Sequence, residues 1–233
     1  GGNLKRVQER QAIWLDSTLF LNRGDKFEVR PLPIEAQFAP AFGVSVGDYD
    51  GDGREDVFLS QNFFATQPEI SRYDAGRGLW LQGNGQGGFR AVPGQESGVL
   101  VYGEQRGCAL GDYDGDGRLD LAVTQNAAAT KLFHNRGART GLRVRLKGPP
   151  GNPGGIGAAI RLVFGGRFGP VREIHAGNGY WSQDSAVAVM ATPESPNRVW
   201  VGWPGGKTTT SEIPAGAREV TIEPSGALQV QSQ

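Results

Sequence analysis

The sequence predicts an all-β protein, and three observations carry that prediction. First, 37 glycines and 14 prolines in 233 residues make up about a fifth of the chain, against roughly 12 % in an ordinary domain, while the hydrophobic share holds at 38 %. A normal apolar share with so many turn formers means a packed core built from short strands, and the absence of a strict glycine period excludes collagen. Second, VGDYDGDGREDVFLSQN over Val46–Asn62 returns as LGDYDGDGRLDLAVTQN over Leu110–Asn126, with Asp48 and Asp112 spaced 64 residues apart. Third, the second half of the chain alternates apolar and polar residues in short runs bounded by Gly, Pro or Asn, as half-buried strands do.

In order along the chain, residues 1–18 form an N-terminal segment. Leu4, Val7, Ala12 and Leu15 share one side of a short helix expected over Asn3–Leu15. Residues 19–137 form the repeat region. Three stretches, Thr18–Val29, Gly78–Val92 and Lys131–Val144, each read as an apolar strand, an Asn/Gly turn and a second strand, so three hairpins alternate with two acidic loops. The spacing is that of a propeller blade of about 40–50 residues plus a longer loop. Residues 138–233 include the turn-rich GPPGNPGGIG and continue as about six alternating strands, which predicts a small β-sandwich or barrel.

Charge and cysteine content narrow the function. Lys+Arg 24 balances Asp+Glu 24, so no net field draws the chain to nucleic acid or anionic lipid. No apolar run reaches the roughly 18 residues of a membrane span, and GGNLKRVQERQ lacks a signal-peptide core. The single Cys108 forbids an internal disulfide.

The chemistry sits in the repeated loops. Asp48, Asp50, Asp52 and Asp56 form D-x-D-x-D-G-x-x-D, and Asp112, Asp114, Asp116 and Asp120 repeat it. Alternate carboxylates converge when the backbone curls at the glycine, and carboxylates drawn together repel one another unless a cation sits among them. A hard, oxygen-binding divalent ion is expected in each loop, calcium rather than magnesium, because magnesium keeps its waters. The carbonyls of Arg54 and Arg118 would supply the seventh-position oxygens. Position twelve, a bidentate Glu in an EF-hand, falls on Leu59 and Val123, so the ninth-position Asp must substitute. The flanks FGVSVG and DVFLSQN are strand-like, which makes these hairpin loops rather than helix-flanked ones.

These loops and flanks resemble the FG-GAP or VCBS repeats, calcium-binding blade units of β-propellers, over roughly residues 19–137. The stretches GNPGGIGAAIRLVFGG, AGNGYWSQDSAVAVMA and VWVGWPGGKTTT resemble the ASPIC/UnbV domain that commonly follows such repeats, over about residues 140–222. The resemblance implies an extracellular or cell-envelope protein with calcium as a structural ion and no reaction of its own. About two blades cannot close a ring. The chain is therefore expected to belong to a longer protein whose other blades complete it, or to associate with other chains.

Rival sites are weaker. Gly83, Gly85 and Gly88 spell G-x-G-x-x-G, but FRAVPG follows in place of the helix a pyrophosphate needs. GGKTTT lacks the first glycine of a phosphate loop, since Val201 stands there. His175, Ser182 and Asp184 have the residue types of a hydrolase triad without its G-x-S-x-G elbow. Cys108 is expected to be a buried small hydrophobe, Trp200 to be core, and Tyr180 and Trp181 to be either core or an exposed patch for glycan or protein. The expected function is a non-catalytic, calcium-stabilised structural or adhesion module. The alternatives are a fibre- or layer-forming assembly protein, and a lyase or hydrolase built on a calcium-bearing propeller.

Overall fold

The computed structural model describes residues 10–231, and its regular structure is almost all strand. The helix expected over Asn3–Leu15 falls mostly outside the described residues, and its described part, 10–15, is not helical. Strands β1 (Thr18–Asn22) and β2 (Phe27–Pro31) form the first expected hairpin. A short 3-10 turn over Ile34–Gln37 leads into a four-stranded antiparallel sheet of β3 (Ala41–Gly47), β4 (Asp56–Gln61), β5 (Leu79–Gly83) and β6 (Phe89–Val92). After one helical turn at Gly94–Ser97, β7 (Glu104–Gly111), β8 (Asp120–Asn126) and β9 (Ala128–Phe133) repeat the first three of those strands. Each acidic loop is thus the connection of a hairpin, as its flanks predict.

Alternation decides what each face buries. Every residue of β4 is buried. Phe58 points toward the β7–β9 sheet and shares a core with Cys108, Leu110, Leu121 and Val123. Val57 and Leu59 point the other way and pack with Leu79, Leu81 and Ala36. On that second face Val44 and Val46, paired with Leu59 and Val57, remain 47 % and 48 % exposed.

The third expected hairpin does not form. Lys131–Phe133 belongs to β9, but the next strand, β10 (Leu142–Leu146), leaves for another sheet, because the 134–141 linker carries the chain across to the second unit. There β10 pairs with β14 (Val187–Met190) and, in parallel, with β17 (Glu219–Ile222), which in turn pairs with β18 (Leu228–Val230). The opposing sheet holds β11 (Ala159–Phe164), β12 (Arg167–Phe168), β13 (Arg172–Glu173), β15 (Arg198–Gly202) and β16 (Thr208–Glu212). Leu142, Val144, Val220 and Ile222 from one sheet meet Ile160, Leu162, Val199 and Val201 from the other in a single core, so this half is a two-sheet sandwich. Among the described residues none of the sheets closes on itself.

The two halves interlock. Arg172 Nη2 lies 2.6 Å from Glu55 Oε2, and Asn178 Nδ2 donates to Ser45 Oγ at 3.2 Å. The amide of Leu110 donates to Asp184 Oδ1 at 2.7 Å, and that of Ser185 to the carbonyl of Leu110 at 2.8 Å, so residues 184 and 185 dock on β7 at Leu110. Val189 of β14 reaches into the core of the repeat half. Among the described residues no helix is long and apolar enough to cross a membrane.

Candidate metal centres

In the first loop, Gly51 and Gly53 adopt φ of 74° and 90°, the left-handed turns that wrap the backbone around Asp48. Asp48 Oδ1 accepts from the amides of Gly51 and Asp52 at 2.7 and 3.1 Å, and its Oδ2 from Gly53 at 2.6 Å. Asp56 closes the loop. One of its oxygens accepts from the Tyr49 amide at 3.1 Å and the other from the Gly83 amide, on the third strand, at 2.8 Å. Gly83 must be glycine there, because a Cβ would lie 2.0 Å from the carbonyl oxygen of Glu55. Gln82, beside it, donates to Asp50 Oδ2 at 2.6 Å.

The second loop copies this scheme bond for bond. Asp112 gathers the amides of Gly115, Asp116 and Gly117, and Asp120 takes those of Tyr113 and Asn135. Asn135 occupies the place of Gly83, which puts His134 in the place of Gln82, and His134 Nε2 lies 2.9 Å from Asp114 Oδ2. The outer partners differ. Arg143 of β10 holds Asp112 Oδ2 at 2.5 Å and Glu219 at 2.7 Å, tying the loop to the sandwich.

Three carboxylates converge in each loop. Oxygens of Asp48, Asp50 and Asp56 lie within 4.8 Å of one another, as do those of Asp112, Asp114 and Asp120. Asp52 and Asp116 stand outside these groups. Each accepts its neighbour's amide, Arg54 at 2.8 Å and Arg118 at 2.9 Å, and each pairs with that arginine's guanidinium. Burial and the neighbouring carboxylates push Asp48 up to about 6 and Asp56 up to about 7, against the pull of the backbone amides they accept. Burial raises Asp120 in the same way. A positive ion set among these oxygens offsets both costs, the lost hydration and the mutual repulsion.

The rival sites dissolve into structure. Gly83, Gly85 and Gly88 belong to the β5–β6 hairpin, and Gly205 and Gly206, both at φ 88°, to the turn between β15 and β16. Ser182 Oγ donates to the Asn178 carbonyl and Asp184 accepts from Leu110, so no nucleophile–base bond joins Ser182 to His175. Cys108 is buried at 3.2 Å from Ser45 Oγ, and burial pushes its thiol up, away from reactivity. Trp200 is not core. It alternates with Val199 and Val201 and so faces outward, where its ring meets Phe168 edge-on, while Trp203 is buried. Trp181 is 92 % exposed at φ 49°, and Tyr180 packs edge-on against Phe42.

Sequence reasoning missed Gln82, His134 and Arg143, because they lie outside the loops on third strands or on another sheet. Aligning LWLQG with KLFHN, whose middle residues Leu81 and Phe133 pair with Val57 and Leu121 of the strands after the loops, would have revealed the first two. Residues 148–229 match the ASPIC and UnbV family, which covers the sandwich from the loop after β10 through most of β18 and leaves β10 itself outside. No curated protein matches the chain.

Proposed function

We propose that the repeat half consists of two FG-GAP/VCBS-type blade units, each holding one calcium ion, and that the protein is a non-catalytic structural or adhesion module working outside the cytoplasm. The observation that carries this reading is the duplicated convergence of three mutually repelling carboxylates on a glycine-turned hairpin, closed in each copy by a buried one, Asp56 or Asp120. Asp48, Asp50, Asp56 and their counterparts supply the oxygens, with Asp52, Asp116 and the carbonyls of Arg54 and Arg118 turning in when the ion binds. Such loops suit millimolar external calcium, since extracellular modules bind with Kd of about 10⁻⁴–10⁻³ M.

Calcium titration by calorimetry tests the reading. Two equivalents bound by the wild type, and one by a variant with Asp48→Ala, support it, and no heat in the millimolar range refutes it. A second reading, assembly through the repeat half, is favoured by the half-exposed Val44 and Val46 on an otherwise apolar sheet face. Concentration-dependent sedimentation that Val46→Lys abolishes would support that reading.

A further inference from the structure

The two loops are near copies in sequence, yet their third strands give them different donors. Gln82 brings an amide to Asp50, and at the equivalent position His134 brings an imidazole to Asp114. In the second loop this creates a second group, which shares Asp114 with the one closed by Asp120. His134 Nε2 lies 2.9 Å from Asp114 Oδ2 and 3.8 Å from Asp116 Oδ2, and ligand atoms of the three residues lie within 4.8 Å of one another.

Two ligand atoms on a tetrahedral zinc, with bonds of about 2.0–2.2 Å, stand about 3.4 Å apart. The two separations from the imidazole bracket that value. The three side chains are 25–32 % exposed, open enough for an ion to enter and shielded enough for the ligand field to count. The Tyr113 ring meets the imidazole edge-on at 5.6 Å and fixes its plane.

We propose that the second loop, and not the first, carries a mixed nitrogen–oxygen site for a borderline divalent ion of the zinc class, formed by Asp114, Asp116 and His134. This rests on the reading of residues 112–120 as a cation loop; because Asp114 and Asp116 also belong to the calcium set, the two kinds of ion compete for the second loop. The chemistry follows from donor softness. Calcium takes oxygen ligands and gains little from an imidazole, whereas zinc binds imidazole nitrogen strongly. To bind, the imidazole presents a bare Nε2 and carries its proton on Nδ1, giving up the 3.5 Å contact in which Arg136 Nε donates to Nδ1. Asp116 Oδ2 exchanges the Arg118 guanidinium for the ion, while Arg118 keeps its 2.7 Å bond to the Ala138 carbonyl. Open positions fill with water.

The test uses the full chain freed of metal and titrated with cobalt(II), whose visible spectrum reports nitrogen ligation, alongside calcium calorimetry on the same samples. His134 and His175 are the two histidines of the sequence, so two variants apportion any signal. One equivalent of cobalt with ligand-field bands is expected, weakened in His134→Gln by more than the roughly 10–100-fold that loss of a mere outer-shell partner costs and unchanged in His175→Gln. Undiminished calcium binding by His134→Gln shows that the variant is folded. Equal cobalt binding by wild type and His134→Gln, or none by either while calcium still binds, overturns the proposal and leaves the calcium reading intact. Cobalt binding lost only in His134→Gln, with no calcium bound by any sample and the wild-type melting transition kept by the variant, upholds the proposal and removes the calcium reading.

Discussion

Stripping the metal should reverse the sign of the protein's pH dependence near neutrality. In the metal-free chain Asp48 and Asp56 hold their protons up to about 6 and about 7, well above the ordinary 3.8 of an aspartate. A carboxyl raised on folding stabilises the fold fully below its unfolded pKa, and that contribution is lost as the pH rises through the folded value. Metal-free protein should therefore become less stable from about pH 5 to about pH 7.5.

Every tenfold gain in a carboxylate's proton affinity on folding is worth about 1.4 kcal/mol, but the two carboxyls share one cluster and part of the loop is solvated, so on the order of 3 kcal/mol is expected for the pair. At about 2–4 °C per kcal/mol for a chain of this size, the melting temperature should fall by about 10 °C. Calcium at about a hundred times its Kd adds about 2.7 kcal/mol per site, and only to the ionised carboxylates, so the loaded protein should be more stable at the higher pH. Glu104 does not interfere. Burial raises it, but the Phe64 amide, Asn126 and Arg106 together outweigh burial and hold it at about 2, so its contribution is lost only as the pH falls below 4.5. Scanning calorimetry of metal-free and calcium-loaded protein across this window is the assay. Superimposed curves, or a metal-free curve that is flat or rises with pH, would rule out proton uptake by Asp48 and Asp56 on folding.

Other substitutions probe the frame by thermal melts. Glu104→Ala should cost about 3 kcal/mol by stranding Arg106, a nearly buried partner at 2.7 Å, whereas Glu96→Ala in an exposed pair with Arg90 should cost below about 1 kcal/mol. Gly83→Ala should lose more than about 2 kcal/mol, since its Cβ collides with the Glu55 carbonyl, while Gly151→Ala, with nothing within 4 Å, should be neutral. Asp52→Ala and Asp116→Ala should lower calcium affinity; Glu55→Ala should leave affinity unchanged yet cost about 1 kcal/mol, because Glu55 holds Arg172 of the sandwich.

Much of this was legible in the residues. The acidic loops announced their hairpins because glycine at Gly53 and Gly117 and strand-formers on either side left few alternatives. The sandwich was legible through its period-two alternation, which the shared core of two sheets reproduces. What stayed hidden was pairing between distant segments. Nothing local to Leu142–Leu146 says that it lies parallel to Glu219–Ile222 instead of folding back on Lys131–Phe133. Nor does the first loop's sequence disclose that Asp56 is held by Gly83, since that bond depends on the third strand's register. Trp200 was misplaced for a related reason: size and hydrophobicity favour burial, but the faces of β15 are set by Val199 and Val201.

Strand β14 works as a party wall. Ala188 and Met190 face the sandwich core, and Val189 between them faces the core of the repeats, so three consecutive residues serve two interiors. Cutting the chain at the linker would leave each half with an unsealed room: the sandwich would present Val189 to water, and the repeats would lose Val189 from their core and the bonds that Asp184 and Ser185 make with Leu110. The halves should accordingly melt as one cooperative body, and an ion seated beside Tyr49 and Asp56 would be felt as far away as the strands around Val220.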